Sequence, residues 1–148
     1  MLDNNKPLMI DSHAHLDYPQ LSDDLDGVLA RANAAGVTHI ITIGVKLSTA
    51  DTPKAIAAAH DNVWFSVGVH PHEASKEVDL NAQTIVDLSK HSKVVGIGET
   101  GLDFFYDNAP RDIQEIYFKA HIRASRETQL PIIVHSRDAD ELMIKIIS

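Results

Sequence analysis

The stretch Met9-Ile10-Asp11-Ser12-His13-Ala14-His15-Leu16-Asp17 determines how the rest of the chain is interpreted. The apolar run Leu8–Ile10 predicts a short buried strand with a polar cluster at its C-terminal end. Side chains two positions apart on a strand point to the same face, so His13 and His15 are expected to project together. Imidazole is the commonest protein ligand of transition metals, so the pair suits Zn²⁺, Mn²⁺ or Fe. A chance pair of surface histidines is the alternative.

The bulk properties of the chain describe one ordinary domain of 148 residues, 44% of them hydrophobic. No apolar run approaches the ~18 residues of a membrane span, and residues 1–7 lack a signal-peptide pattern. The absence of cysteine excludes a disulfide framework and is compatible with a cytoplasmic protein. The net charge of −8 argues against a broad basic surface for nucleic acid. A phosphate substrate would therefore have to be held locally.

Apolar segments alternate with amphipathic ones along the whole chain. The predicted strands are 8–10, 37–44, 63–69, 94–98 and 132–134, and the predicted helices are 23–35, 48–60, 81–92, 113–129 and 139–147. Consecutive strand centres are roughly 30 residues apart, which is the length of a βα unit. Strands that are apolar on both faces and alternate with helices are typical of a parallel sheet covered by helices.

Ionisable residues follow four of the five predicted strands, always at the C-terminal end. In a (β/α)8 barrel these ends converge on one mouth, whereas an open doubly wound sheet binds its ligand in a single crevice. No G-x-G-x-x-G motif follows the first strand, which disfavours the open sheet further. The sequence therefore predicts an α/β fold, a TIM (β/α)8 barrel. Because a full barrel takes about 250 residues, residues 1–148 are expected to be the N-terminal part of a single barrel domain, with about five βα units.

Five strands cannot close a barrel. The first and fifth strands are therefore expected to expose unpaired backbone and apolar faces. Exposed strand edges promote association with other chains, so we expect an oligomer or a need for a missing C-terminal segment.

The candidate site residues lie at these strand ends. His13, His15, Glu99 and His135 are the candidate metal ligands, and the two oxygens of Glu99 can bridge two ions. Arg137 can hold a phosphate as a bidentate fork.

Further residues near the strand ends have weaker interpretations. Asp103 can orient a histidine or hold water, and Asp11 can either support the first histidine pair by hydrogen bonding or cap the end of the strand. His72 is a candidate site residue, whereas His70 is equally well explained by the turn at the following proline. Four other histidines are interpreted as structural or exposed and one tryptophan as a core residue: His39, His60, His91, His121 and Trp64.

Four ordered signatures resemble those of the TatD family: DSHAHLD at 11–17, GVHPH at 68–72, GETGLD at 98–103 and PIIVHSRDA at 131–139. Members of that family are metal-dependent deoxyribonucleases on a TIM barrel, within the wider metallohydrolase group. The resemblance implies that His13 and His15 bind one metal, that Glu99 bridges two and that His135 binds the second. It also implies that His72 and Arg137 line the substrate site.

The resemblance further implies a metal-binding histidine on a sixth strand and an aspartate on an eighth strand, both beyond residue 148. The predicted function is cleavage of phosphodiester bonds, in DNA or a small phosphodiester, by two divalent ions (Zn, Mn or Mg). Glu99, Arg137 and His72 are the predicted catalytic residues. One alternative is a metallo-amidohydrolase acting on C–N bonds, although many of those bridge their metals with a modified lysine. The other alternative is an inactive part-barrel that only binds metal.

Overall fold

The computed structural model describes residues 8–78 and 80–148, which contain one five-stranded parallel sheet. Its strands are β1 (Met9–Ala14), β2 (Val37–Thr42), β3 (Val63–Val67), β4 (Val94–Asp103) and β5 (Ile132–Arg137). The helices are α1 (Pro19–Ser22), α2 (Leu25–Ala34), α3 (Asp51–Ala59), α4 (Ala82–Ser89), α5 (Arg111–Thr128) and α6 (Asp140–Ile147), and a 3-10 segment covers Pro71–Lys76.

Each strand pairs in parallel with the next strand along the chain, so that β1 and β5 form the two edges. A sheet in chain order, with a helix after every strand, is the arrangement of successive βα units in a barrel. All the predicted strands and helices are found, with ends that differ by a few residues, whereas α1 and the 3-10 segment are additional elements. No helix in the described ranges combines the length and the hydropathy needed to cross a bilayer.

The main core lies between one face of the sheet and the helices. Buried apolar side chains from the strands pack there against buried side chains from the helices, among them Ile40, Val63, Phe65, Val94, Ile97, Leu29, Ala57, Ile85, Ala120 and Ala124. A second cluster joins the end of β4 to α5 and α6 through Leu102, Phe118, Ala139 and Met143. Burying one large apolar side chain stabilises a fold by about 1.5–3 kcal/mol, so these contacts hold the strand ends in place.

The opposite face of the sheet is open, and two predictions about it are wrong. Leu8, Met9 and Ile10 are not buried but 72%, 43% and 65% exposed. Trp64 is only half-buried and lies on this open face, where a hollow of about 240 Å³ is lined by Ile10, His39, Ile41, Trp64 and Val95. In a closed barrel such residues pack against strands from the opposite wall, which five strands do not supply.

His121 of α5 is buried, which agrees with its predicted structural role. Its Nε2 atom accepts a hydrogen bond from the N–H of Val69 at 2.9 Å, and its Nδ1 atom donates to the carbonyl of Tyr117 at 2.7 Å. Burial lowers the pKa of His121 to about 4. The neutral ring therefore fastens α5 to the segment that follows β3, which carries His70 and His72.

The buried imidazole of His121 makes stability depend on pH. The unfolded chain gains a proton near pH 6.5, but the folded chain gains it only near pH 4. The stabilisation is therefore complete above pH 6.5 and is lost as the pH falls towards 4. We expect His121 to account for roughly 3 kcal/mol of the loss in unfolding free energy between pH 7 and pH 4.

Urea unfolding of the His121→Gln variant at several pH values measures this contribution. Glutamine keeps an acceptor for the N–H of Val69 but does not titrate, so the variant should show a flatter pH dependence. The exposed His39→Gln variant is the control and should follow the unmodified protein. Identical slopes for His121→Gln and the unmodified protein would contradict this assignment.

Candidate metal centre

The C-terminal parts of β1, β4 and β5 bring the four predicted metal ligands together. The Nε2 atoms of His13 and His15 lie 3.4 Å and 4.0 Å from Oε2 of Glu99. The Nδ1 atom of His135 lies 3.4 Å from Oε1 of the same carboxylate. Each oxygen of Glu99 therefore faces a different set of histidines.

The backbone of β4 holds Glu99 at this position. The sequence predicts Glu99 directly after an apolar strand, but in the structure Glu99 lies inside β4. The strand is longer than predicted because its pairing with β5 continues as far as Asp103 and Arg137. The N–H of Glu99 donates to the carbonyl of Gly44 at 2.9 Å. Gly101 has a φ of +141°, and a Cβ atom there would collide with the carbonyl of His135. A glycine is thus required for β4 and β5 to lie side by side at this point.

His70 also belongs to this cluster, which the sequence interpretation did not establish. Its Nε2 atom lies 3.3 Å from Nδ1 of His135 and 3.9 Å from Oε1 of Glu99. Burial lowers the pKa of His70 to about 4, and the neighbouring charge of Glu99 opposes this effect only in part. The signal in the sequence was its place directly after an apolar strand, which a turn at Pro71 explained equally well.

Asp103 is a buried carboxylate that binds two of the histidines. Its Oδ2 atom accepts hydrogen bonds from Nε2 of His72 at 2.7 Å and from Nε2 of His135 at 3.0 Å. Burial by itself raises the pKa of Asp103, but the hydrogen bonds from Tyr106, His72 and His135 outweigh it and hold that pKa well below its usual range. Asp103 therefore orients two histidines, which is one of the two roles that the sequence predicts for it.

An ionised Asp103 accepts hydrogen bonds only, so it determines which histidine nitrogens carry protons. In their neutral forms, His72 and His135 are protonated at Nε2, and their Nδ1 atoms are left as acceptors. The N–H of His72 donates to Nδ1 of His70 at 3.1 Å, so the proton of His70 is on Nε2. The Nδ1 lone pair of His135 is thereby directed towards His70 and Glu99.

Gln114 of α5 holds Asp103 in turn. Its Oε1 atom accepts from the N–H of Asp103 at 2.8 Å, and its Nε2 atom donates to the carbonyls of Asp103 and Ala109 at 3.1 Å and 2.8 Å. Nothing in the sequence pattern distinguished this buried glutamine from an ordinary helical residue.

The first histidine pair has different surroundings. Asp11 accepts a hydrogen bond from the backbone N–H of His13 at 3.0 Å, so it supports the strand end and not the imidazole ring. The ring of Tyr18 stacks on His15 with centroids 4.8 Å apart. Among residues 8–78 and 80–148, Nδ1 of His15 and Oδ1 of Asp17 are buried side-chain atoms without a hydrogen-bond partner. Unpaired buried polar atoms of this kind are rare and suit a site that takes a ligand.

Within the described part of the chain, three groups of ligand atoms meet the geometric requirement for a metal ion, with all atoms of a group within 4.8 Å of one another. The groups are His13–His15–Glu99, His70–Glu99–His135 and His72–Asp103–His135. Two of the three share Glu99. The donor set of imidazoles and carboxylates suits Zn²⁺ or Mn²⁺.

Arg137 lies at the edge of this cluster and is exposed. Its guanidinium carbon is 4.1 Å from the ring centroid of Phe105 and 4.7 Å from that of Tyr106. Arg137 has no carboxylate partner anywhere in the described part of the chain. It lines a cavity of about 640 Å³ that also contains His13, His15, His70, His72, Glu99, Asp103 and His135.

Comparison with known proteins agrees with this geometry. The family described as TatD related DNase matches residues 10–148. The uncharacterised metal-dependent hydrolase YabD of Bacillus subtilis (strain 168) is 37% identical over 140 residues, which are 95% of this chain and 55% of that protein. The 3′-5′ ssDNA/RNA exonuclease TatD of Enterobacter lignolyticus (strain SCF1) is 35% identical over 140 residues, covering 95% of this chain and 54% of that protein.

A solved structure confirms the predicted fold. The crystal structure of YJJV, a TatD homolog from Escherichia coli K12, superposes with a TM-score of 0.85 at 29% identity, over 93% of this chain and 54% of that chain. The chain spans about half the length of the curated relatives it matches. Because the family match covers nearly the whole sequence, the chain belongs to the TatD related DNase family.

Proposed function

We propose that this chain provides the metal centre of a hydrolase that cleaves phosphodiester bonds in single-stranded nucleic acid, with DNA as the main substrate. Two divalent ions, Zn, Mn or Mg, would be held by His13, His15, Glu99 and His135. The name of the Enterobacter lignolyticus relative, an exonuclease for single-stranded DNA and RNA, supports this substrate class.

The observation that carries the proposal is the position of the Glu99 carboxylate. Only 8% of Glu99 is exposed, and its ion-pair partners within the described ranges are all histidines. The pKa of His70 is lowered to about 4, so this ring is neutral near pH 7 and does not balance the charge. A buried carboxylate without compensation is costly, and a cation on each side of it removes that cost.

Glu99 is suited to bridging because its two oxygens face different histidines. Oε2 would complete the ligand set of His13 and His15, and Oε1 would complete that of His135. When bound, two divalent ions polarise the phosphoryl oxygen and make water a stronger nucleophile. The hydrogen bond from His135 to Asp103 makes the imidazole a better ligand, since a carboxylate partner fixes the ring and raises its basicity.

Arg137 and His72 would act on the substrate. A guanidinium that is held by aromatic rings and not by a carboxylate keeps its donors available for two phosphate oxygens. His72 lines the same cavity with its Nε2 proton held by Asp103, which leaves Nδ1 able to accept a hydrogen bond or a proton.

We also propose that residues 1–148 correspond to the N-terminal part of one barrel domain. The open apolar face beside Trp64 and the match to about half of each relative support this assignment. A further histidine and an aspartate from the rest of such a barrel would complete the two metal sites.

The Glu99→Gln variant tests the metal centre. Glutamine keeps the size of the side chain but removes the negative charge and one oxygen acceptor, so the side chain can no longer bridge the two metal sites. We expect affinity for Mn²⁺ or Zn²⁺ to fall by more than about tenfold. Substitution of a residue that only hydrogen-bonds to a metal ligand already lowers metal affinity by roughly 10–100-fold. Isothermal titration calorimetry measures the affinity and the stoichiometry.

The matched control is Glu115→Gln, which removes an acidic residue paired with Lys119 on the surface of α5. This control should bind metal as the unmodified protein does. An unchanged affinity and stoichiometry for Glu99→Gln would show that the carboxylate is not a ligand.

A hydrolysis assay tests the reaction. With Mn²⁺, we expect cleavage of a single-stranded oligonucleotide that EDTA and Glu99→Gln both abolish, and no cleavage of a cyclic amide. A chain extended by three βα units should be far more active, because it adds the two ligands that the family resemblance implies. Hydrolysis of the cyclic amide in place of the oligonucleotide would contradict the proposal and favour an amidohydrolase.

A further inference from the structure

Two aromatic side chains are exposed at the mouth of the metal centre. Phe105 and Tyr106 lie two and three residues after Asp103, the last residue of β4, and they are 55% and 53% exposed. Their rings contact each other edge to face, with centroids 4.7 Å apart. Large apolar side chains that cluster at the surface beside a functional cavity often mark a binding site.

The aromatic pair is attached to the metal centre through one carboxylate. Oδ1 of Asp103 accepts hydrogen bonds from the N–H groups of Phe105 at 3.1 Å and Tyr106 at 3.0 Å, while Oδ2 holds His72 and His135. The ring of Tyr106 also contacts that of His72, with centroids 5.4 Å apart and planes at 87°. The backbone of both aromatic residues is therefore held close to the candidate metal ligands.

Arg137 adds a charged, planar group to this surface. Its guanidinium lies over both rings, and it carries the one positive charge in the cavity wall that no carboxylate of the described residues balances. The other cation lining the cavity, Lys46, is paired with Glu73 at 3.2 Å. The surface thus combines π faces with a single free cation, and it does so in a chain whose net charge is −8.

We propose that Phe105, Tyr106 and Arg137 form a stacking site for a nucleobase of a single-stranded substrate, adjacent to the phosphate that is cleaved. This inference rests on the proposed function and specifies how the substrate is held. Bases stack on aromatic rings and on guanidinium planes irrespective of sequence. Stacking also needs no basic surface, which suits an acidic protein that must bind a polyanion.

A single strand fits this surface better than a duplex or a protein partner. The bases of a duplex are stacked on one another and present only their edges, whereas an unpaired base exposes its face. Specific protein interfaces involve about 20–30 residues a side, many more than this compact group of three side chains.

The test compares three protein forms, namely the unmodified protein, one double variant and one control variant, with two kinds of oligonucleotide. The Phe105→Leu/Tyr106→Leu double variant keeps apolar bulk but removes the π faces, and Ile116→Ala, equally exposed on α5, is the control. The probes are a phosphorothioate-linked six-nucleotide single strand and versions with one abasic residue at each of the three 3′-terminal positions. Fluorescence anisotropy in Mn²⁺ gives the dissociation constants.

We expect the double variant to bind the intact strand about tenfold more weakly, because it can no longer stack a base on the two aromatic rings. One of the abasic strands should bind the unmodified protein about as weakly as the intact strand binds the double variant. The double variant should bind that abasic strand and the intact strand with equal affinity. Ile116→Ala should bind every strand like the unmodified protein.

If the double substitution weakened binding of the intact strand and of every abasic strand by the same factor, the stacking site would be overturned, while the proposed function would stand. An unchanged affinity of the double variant for the intact strand would overturn it as well. If the unmodified protein binds no strand in Mn²⁺, the proposed function fails and this inference fails with it.

Discussion

The structure around the candidate site depends on one buried carboxylate, that of Glu99, placed between two sets of imidazoles. Its Oε2 atom faces His13 and His15, and its Oε1 atom faces His70 and His135. Burial makes a lone negative charge costly, and positive charge close to both oxygens would offset that cost. The glycine at position 101 lets β4 and β5 approach closely enough for the two sides to form.

Asp103 is the second organising group, and it acts through hydrogen bonds. With two oxygens it holds two histidine rings and the backbone of two aromatic residues, and Gln114 holds its own backbone. It thereby determines the protonation of the rings and the position of the aromatic pair together. A single carboxylate can link two candidate metal ligands to the aromatic pair because these residues lie on, or just after, the adjacent strands β3, β4 and β5.

The alternation of apolar and amphipathic segments was sufficient to predict the parallel sheet, the helices and the end of the sheet at which the site lies. It placed His13, His15, Glu99 and His135 together because successive parallel strands end on one side. It failed where burial depends on the rest of the fold: the apolar run at Leu8–Ile10 is exposed since its strand is an edge. Hydrogen bonds between residues distant in sequence, such as those of His70, His121 and Gln114, have no local pattern.

The most direct test of the shared carboxylate is anomalous X-ray diffraction from crystals of the protein soaked in Zn²⁺, with data on both sides of the zinc absorption edge. The account predicts two peaks, one beside each oxygen of Glu99, separated by about 3.5–4 Å. One peak would be near His13 and His15, and the other near His135. A single peak at His72 and Asp103, with none adjacent to Glu99, would contradict it.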